Sequence, residues 1–568
     1  LIDETPNAAC PVMQRWELAF RLSRSYANPF DPEVVDVGCD ITGPDGSEHV
    51  TAFYTQDYAR RLDHDREIVD AVGAAGWRVR YRPRRAGNYH WVLQAVDGDR
   101  RRSPPLSGGF SATAATDPGY IGRSPAKPQY LAFTDGSPYY PIGHNLCQAV
   151  DLQRPYAYEF AVAPDQGTFS YDRYFARMRD AGMNWARVWM TPWSFGLEGD
   201  PTWPDFHGLG RYNLANAWRF DHLLDEAARD GVFVQPTIIH HSELLQENCW
   251  KTSALNVANG GCLGSPQQFY TEPRILAAFR TRMRYIVARW GDDPRIVAWE
   301  FFGEANLVPG FEGTAAAAWH RALGDYVRSI DLGRHPIFTH CHNWQNGHAL
   351  WALPGIDCVQ GNGYIRPPNT TPDHVANFER YIAEVARYGK PIFVAEYGGR
   401  AELGAPSHDY LEAQLHSGLW ASLTQPFAGA AMAWWWNFTD GADCYHHYRA
   451  LSRFAADIDR VAHDFHCVKP AVTARNATVK AAGMQDRGFG FYWVYHSDVF
   501  TRHADLPTIS GARLHLDQLD GGRYRITSWD TRTGEVIASE ERELSLPVDL
   551  DLQSFVGDLA VKVVVVGR

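Results

Sequence analysis

Two glutamates are placed to do chemistry. Glu304 closes the run Ile296-Val-Ala-Trp-Glu-Phe-Phe-Gly-Glu304, and Glu396 closes Pro391-Ile-Phe-Val-Ala-Glu396. Each run is short and apolar, the pattern of a buried parallel strand, and each carries its carboxylate at the C-terminal tip. The chain between them is long enough for two or three strand–helix units. Two carboxylates raised on neighbouring strands suit cleavage of a glycosidic bond. One donates a proton to the departing oxygen, and the other attacks the anomeric carbon or activates water. A lone Glu at a strand end is ordinarily a solvated surface group. Two of them, each with its own flanking motif, favour the chemical reading.

The elements that must position this pair are legible as a pattern. From about residue 125 to 467, apolar runs alternate with amphipathic stretches. Strands are expected at Tyr139–Asn145, Asn184–Met190, Val232–His240, Val297–Phe302, Pro336–His340, Asp357–Gly361, Ile392–Glu396 and Ala430–Trp436. Helices are expected at Asp172–Ala181, Phe220–Asp230, Pro273–Trp290, Ala315–Ile330, Val375–Tyr388 and Tyr410–Leu423. This alternation predicts a (β/α)8 TIM barrel with its site at the strand C-termini. A doubly wound open sheet would want a glycine-rich phosphate loop after the first strand, and Gly143-His-Asn does not supply one.

Before and after this segment the character is all-β. Runs such as Trp77-Arg-Val-Arg-Tyr and Tyr89-His-Trp-Val-Leu-Gln-Ala-Val are separated by turn residues, and Phe489-Gly-Phe-Tyr-Trp-Val-Tyr and Leu559–Val566 repeat the pattern late in the chain. The expected organisation is α/β overall: an Ig-like β-sandwich over 1–115, a Pro/Gly/Ser-rich linker over 116–127, the barrel over 128–467 and a C-terminal β-sandwich over 468–568.

The strand tips are polar and aromatic in order: Asn145, Arg187, His240 and His241, Glu304 and Asn306, His340 and His342, Asn362 and Tyr364, Glu396, then Trp434 to Asn437. Barrel cores are normally filled by branched apolar side chains, so polar groups at every tip point to a site. Trp193, on the loop after the second strand, is a candidate for stacking on a sugar. Arg187 could instead form a buried ion pair with Glu300 or Glu396. A metal site built from His240, His340 and His342 is conceivable, but no carboxylate or cysteine spacing confirms it, so no metal and no cofactor is expected. Thr439-Asp-Gly-Ala-Asp443 lacks the full calcium-loop pattern and reads as a turn. No Gly-x-Ser-x-Gly elbow supports serine hydrolysis.

The central segment resembles the clan A glycoside hydrolases, the retaining β-glycosidases that include the family 5 cellulases and mannanases. The resemblance rests on Asn256-Val-Ala-Asn-Gly-Gly261, Arg284-Tyr-Ile-Val-Ala-Arg-Trp-Gly291 with Ala298-Trp-Glu300, Val394-Ala-Glu-Tyr-Gly-Gly399 and Ala433-Trp-Trp-Trp436. Over most of the chain it is similar to cellulase-like bacterial proteins, with an Ig-like domain before the barrel and a sandwich of the collagen-binding type after it. The resemblance implies Glu304 as acid/base and Glu396 as nucleophile. It also implies Arg187 and Tyr364 as the groups that hold the nucleophile ionised, and Trp435 as the floor under the scissile sugar. One departure stands out. The clan's fourth strand usually ends in Asn-Glu, the Asn binding the sugar 2-hydroxyl, and this chain has Gly303-Glu304. An unusual sugar such as a furanoside, a replacement contact from Asn306, His240 or Asn145, or impaired catalysis would each account for it.

Composition narrows the rest. A net charge of −12, with 45% hydrophobic and 21% charged residues, describes a globular chain of several domains and argues against nucleic acid. The longest apolar runs are strand length, so no membrane span is expected. The nine cysteines are scattered, favouring a reducing compartment such as a bacterial cytoplasm over secretion, although the chain begins at Leu1 and a leader could have been removed. Cys249 and Cys262 share a predicted loop and could bridge. The expected partner is an oligo- or polysaccharide, and the oligomeric state is open. The long loops Asp200–Leu214 and Glu243–Tyr270 could wall off a pocket and favour exo action. Transglycosylation on the same site, or a non-catalytic carbohydrate-binding barrel, are the alternatives.

Overall fold

The structure is a computed structural model that describes residues 2–3, 7–150, 162–245, 247–365, 373–399 and 407–566. The protein is mixed α/β. Its first part is built on two sheets. One orders strands Ile2–Asp3, Trp16–Arg21, Arg66–Tyr81 and Phe53–Asp63; the other orders Ala9–Pro11, Leu106–Thr113, Gly87–Asp97, Val35–Gly43 and Gly46–Thr51. Alternation drives the packing: in Trp16–Arg21 the buried residues are Trp16, Leu18 and Phe20, and in Val35–Gly43 they are Val35, Val37, Cys39 and Ile41. These faces meet in one core with Trp91, Leu93 and Phe110.

The central part carries parallel strands. Gly143–Asn145, Trp185–Trp189, Phe233–Thr237, Trp299–Glu300 and Ile337–Phe338 form a five-stranded parallel sheet in that order, and His340–Cys341, Val359–Asn362 and Ile392–Glu396 form a three-stranded one. Val359–Asn362 and Ile392–Glu396 are buried along their whole length, as strands covered on both faces must be. The two sheets touch where the backbone N–H of His340 donates to the Phe302 carbonyl at 2.9 Å. Helices follow the strands. Pro273–Trp290 has the expected bounds, and others start earlier than expected: Thr168–Asp180, Leu214–Asp230, Gly313–Ile330, His374–Val385 and His408–Leu423. Four of these earlier starts have polar N-caps, Asn213, Glu312, Asp373 and Ser407, whose side chains accept backbone N–H groups; the fifth, at Thr168, follows Gly167.

Three expectations are corrected. Ala430–Trp436 is not a strand. Only Ala433 forms bridges, to His144 and Tyr397, and a helix begins at Trp436 and takes in Thr439 and Asp440. The 116–127 stretch is more than a linker. Ile121–Arg123 pairs with Leu131–Phe133, which pairs with Pro138–Tyr139, and Ile121, Leu131 and Tyr139 pack on Trp185, Val297, Phe338, Phe393 and Met432. This small sheet seals the strand ends opposite Glu304 and Glu396. The Cys249–Cys262 bridge is not formed, since Cys262 is a free thiol. The loop Glu243–Tyr270, described except at Gln246, holds the short helix Glu247–Lys251 and two 3-10 turns.

The last part is again β. A six-stranded antiparallel sheet orders His466–Val468, Val479–Gln485, Phe489–His496, Asp558–Val565, Gly522–Trp529 and Val536–Leu544, beside a smaller sheet of Val472–Thr473, Arg513–Leu516 and Val548–Asp551. Leu514, Leu516, Leu550, Val561 and Val563 share its core. Among the described residues no helix is long and apolar enough to cross a membrane.

A buried charge network joins the first part to the central helices. Asp221 accepts from Arg80 Nη1 at 2.8 Å, from Arg289 Nη2 at 2.6 Å and from Trp290 Nε1 at 2.7 Å. Burial opposes the Asp221 charge, but Arg289 and Arg80 hold its carboxyl far below the usual carboxylate range.

Candidate active site

Glu396 is the last residue of strand Ile392–Glu396, and Glu304 follows strand Trp299–Glu300 at the start of a 3-10 turn. Both carboxylates are nearly buried, at 4% and 8% exposure. The amide nitrogen of Asn362 donates to both, at 2.8 Å to Glu304 Oε1 and 3.3 Å to Glu396 Oε2. That shared donor brings the facing oxygens closer than the roughly 6.5 Å at which the range for inverting glycosidases begins. Glu304 sits in the left-handed region, φ 54° and ψ 49°, a conformation that costs a non-glycine residue about 1–3 kcal/mol and tends to mark functional positions.

Arg187 anchors the other side. Its Nε and Nη2 form a fork on Glu300 at 2.7 and 2.6 Å, and its Nη1 reaches Glu396 Oε1 at 2.9 Å. The two readings of Arg187 are thus one: a structural pair with Glu300 aims it at Glu396. Glu300 also accepts from Gln235 Nε2 at 2.7 Å and Thr237 Oγ1 at 2.8 Å. Burial opposes the Glu300 charge, but Arg187 keeps its carboxyl below the usual value. The hydroxyl of Tyr364 lies 3.4 Å from Glu396 Oε2.

His340 works from behind. Its Nδ1 accepts from the Glu304 backbone N–H at 3.3 Å and from Arg187 Nη2 at 3.1 Å, which assigns the proton to Nε2, 2.7 Å from Asn362 Oδ1. Burial first, and then Arg187, push its pKa down to about 3, so it is a neutral relay. Two expectations fall here. His340 and Asn145 are fully buried, and their polar atoms are satisfied within the protein. Asn145 donates to the Ala395 and Ala433 carbonyls at 2.9 and 3.1 Å and accepts from Arg187 Nη1 at 3.1 Å. Neither keeps hydrogen-bonding capacity for a sugar; both orient the groups that do. The metal set His240, His340 and His342 fails for the same reason, because both His340 ring nitrogens are engaged.

The remaining histidines surround Glu304. His342 Nδ1 donates to Oε1 at 2.5 Å, with its own backbone N–H held by Asn306 Oδ1 at 2.7 Å. His241 Nδ1 lies 3.1 Å and His240 Nε2 3.9 Å from Oε2. His240 stacks on Trp189, ring centroids 3.8 Å apart. A Cβ on residue 303 would fall 2.4 Å from His240 Cδ2, so His240 occupies the room an asparagine would need. Trp435 is buried, its indole N–H donated to the Gly399 carbonyl at 3.1 Å, while half-buried Trp434 packs 5.7 Å from Trp189. Trp193 is half-buried against the main core, and its indole N–H finds no partner among the described residues. Trp189 was not singled out from the sequence, whereas Trp434 was read there as a strand-tip aromatic. Alternation along Trp185–Trp189 would have placed Trp189 on the same face as Arg187.

The protonation pattern differs from the expected one. Burial and then the charge of Glu304 push Glu396 up to about 7, against the pull of Arg187. Burial opposes the Glu304 charge as well, but the His342 hydrogen bond and the charge of His241 hold its carboxyl well below the usual range. Of the pair, Glu396 is thus the carboxyl that holds a proton more tightly than usual and Glu304 the one that holds it less. The sequence reading placed it on Glu304; it did not foresee that the histidine shell outweighs a dry environment.

No family model matches the chain. Among curated proteins, it is 23% identical over 263 residues to mannan endo-1,4-beta-mannosidase 3 of Oryza sativa subsp. japonica, covering 39% of this chain and 54% of that protein. It is 24% identical over 356 residues to mannan endo-1,4-beta-mannosidase 1 of the same plant, covering 55% and 77%. The chain spans about half the length of the first curated relatives it matches. Among solved structures, a provisionally assigned glycoside hydrolase from Bacteroides vulgatus aligns over 99% of this chain and 100% of its own, with TM-score 0.62 and 15% identity. A glycoside hydrolase family 5 structure from the same species aligns over 79% and 94%, with TM-score 0.52 and 14% identity. At such identities the likeness is one of fold.

Proposed function

We propose that the chain is a retaining glycoside hydrolase whose parallel strands close into a (β/α)8 barrel, with β-sandwiches over 1–115 and 468–568. Closure is supported by the Ala433 bridges to both His144 and Tyr397, which link the last strand position to the first and the seventh. The curated relatives are named as mannan endo-1,4-beta-mannosidases, so a β-1,4-linked mannan is the first substrate to try.

The observation that carries the reading is Asn362 bridging Glu304 and Glu396 while Arg187 aims the latter. In the first step the Glu396 carboxylate attacks the anomeric carbon. The bond to the leaving oxygen breaks, and the Glu304 proton passes to that oxygen. In the second, Glu304 takes a proton from water, the water oxygen bonds the anomeric carbon, and Glu396 leaves as carboxylate. Because Glu396 holds a proton more tightly than Glu304, sugar binding must shift it toward Glu304 before attack. His240 takes the place of the missing asparagine beside the sugar, with His241, His342, Tyr364, Trp193 and Trp434 around it. Trp435 is buried with its N–H engaged, and Trp434 packs against Trp436, ring centroids 5.2 Å apart.

Hydrolysis of β-1,4-mannan and a panel of nitrophenyl pyranosides and furanosides tests this, with NMR of the first-formed anomer. Retention is expected, with Glu304→Gln lowering turnover by about 10²–10⁴-fold and Glu396→Gln at least as much. An inverted product, or turnover unaffected by both changes, would overturn it.

A further inference from the structure

Five histidines gather away from the active site, where the helices His408–Leu423 and Tyr445–Ala455 meet the C-terminal part. Three of their Nε2 atoms converge on Glu412 Oε1: His447 at 3.1 Å, His503 at 3.5 Å and His446 at 3.6 Å. His408 Nε2 lies 3.2 Å from Oε2. A tetrahedral ion with bonds of about 2.0–2.1 Å sets neighbouring ligand atoms about 3.3 Å apart, so these three separations are close to the edges of one coordination tetrahedron. We infer that Glu412, His446, His447 and His503 hold a divalent transition-metal ion of the zinc class, with His408 and Cys444 beside it.

The metal-free reading makes the cluster a set of hydrogen bonds to one carboxylate. The second ring of contacts argues against it. His416 Nε2 lies 2.8 Å from Asp558 Oδ2, and Asp558 also accepts from Trp493 Nε1 at 2.7 Å and Arg532 Nη1 at 3.1 Å. His416 Nδ1 in turn lies 3.1 Å from Nδ1 of the fully buried His447. Three ring nitrogens crowd a single oxygen of Glu412, more than the two lone pairs of a carboxylate oxygen accept, and that crowding calls for a cation among them. The chain Asp558–His416–His447 is also the carboxylate–histidine arrangement that orients metal-bound imidazoles. His408 and His446 are 40% and 38% exposed in their side chains, which leaves a path for an ion to enter.

An ion here would tie residues 408–447 to His503 and Asp558, fastening the C-terminal part to the central helices. Zinc titration of the full chain after EDTA treatment, followed by calorimetry and thermal melting, tests this. The expected result is one zinc ion per chain in the parent and in Glu304→Gln, with a raised melting midpoint. The double variant His446→Ala/His503→Ala, changed at two partly exposed positions and checked for folding by circular dichroism, should bind at least about tenfold more weakly and lose the zinc-dependent rise. Absence of tight binding in the parent, unchanged binding in the double variant, or an ion lost only in Glu304→Gln would each overturn the proposal.

Discussion

Two regions of this molecule bury arginine–carboxylate clusters, and they do so in opposite proportions. Where the first part meets the central helices, one carboxylate, Asp221, is shared by two guanidiniums, Arg80 and Arg289. At the strand tips one guanidinium, Arg187, serves two carboxylates, Glu300 and Glu396, with Glu304 close by. The physics is the same in both. The number of cations on each carboxylate decides the outcome: two guanidiniums hold Asp221 well below the usual range, although Arg80 also serves Glu17, while one guanidinium shared by two carboxylates leaves Glu396 pushed up. A buried pair by itself is weak evidence of stability.

Replacing the arginines should separate the two most sharply. Arg187→Met leaves Glu300 and Glu396 buried without a cation, so it should destabilise by about 3–5 kcal/mol and abolish turnover. Arg80→Met leaves Asp221 its second arginine, so the loss should be smaller and specific activity per folded molecule unchanged. Denaturant unfolding and activity assays together decide; equal losses at both positions would erase the distinction.

Filling the space over Gly303 should have the next largest effect. Gly303→Asn must displace His240 and with it the surroundings of Glu304, and a misplacement of about 1 Å can cost about 10²-fold in rate. The loss should be smaller when His240→Ala is added, measured as kcat/KM.

Acid and base should then act on the two regions in opposite senses. Asp221 has its folded pKa depressed, so its contribution is present above its usual 3.8 and is lost as pH falls below that. Glu396 has its folded pKa raised from 4.5 to about 7, so the folded state binds the proton more tightly and stability declines as pH climbs through that window. Turnover should also fall above about pH 7, by about tenfold per unit, as the pair gives up its last proton. A pH–rate profile beside a pH series of melting curves would show both; a flat alkaline limb would refute the raised pKa of Glu396.

The smallest effect belongs to Arg513, whose Nε reaches Asp551 Oδ1 at 2.8 Å with side chains 60% and 81% exposed. Arg513→Ala should cost no more than about 1 kcal/mol and leave activity untouched.

How much of this the sequence revealed follows from distance along the chain. Helix Pro273–Trp290 was legible because Pro at its start and a 3.6-residue apolar stripe are local signals. The mixed α/β character and the flanking sheets were legible from periodicity. Strands such as Trp299–Glu300 came out shorter than their apolar runs, because irregular backbone at the tips turns side chains toward the site. The run at 430–436 read as a strand because its aromatics are β-formers, yet Trp436 is captured by a helix start. Glu304 and Glu396 stood out through their flanking motifs. That His340 and Asn145 serve behind the carboxylates could not be read, since burial is a property of the assembled strands. The histidine cluster around Glu412 was missed for the same reason: His408 and Glu412 are four apart on one helix, a visible signal, but His503 joins only through the fold.

The left-handed backbone of Glu304 has an evolutionary consequence. Its φ of 54° is one that only glycine adopts freely, so the chain would be more at ease with Gly at that position, and Glu304→Gly should melt higher than the parent while turning over nothing. Selection for sturdiness alone would therefore erode this position first. A glutamate there sets its carboxylate between Asn362 and His342 at the expense of backbone ease.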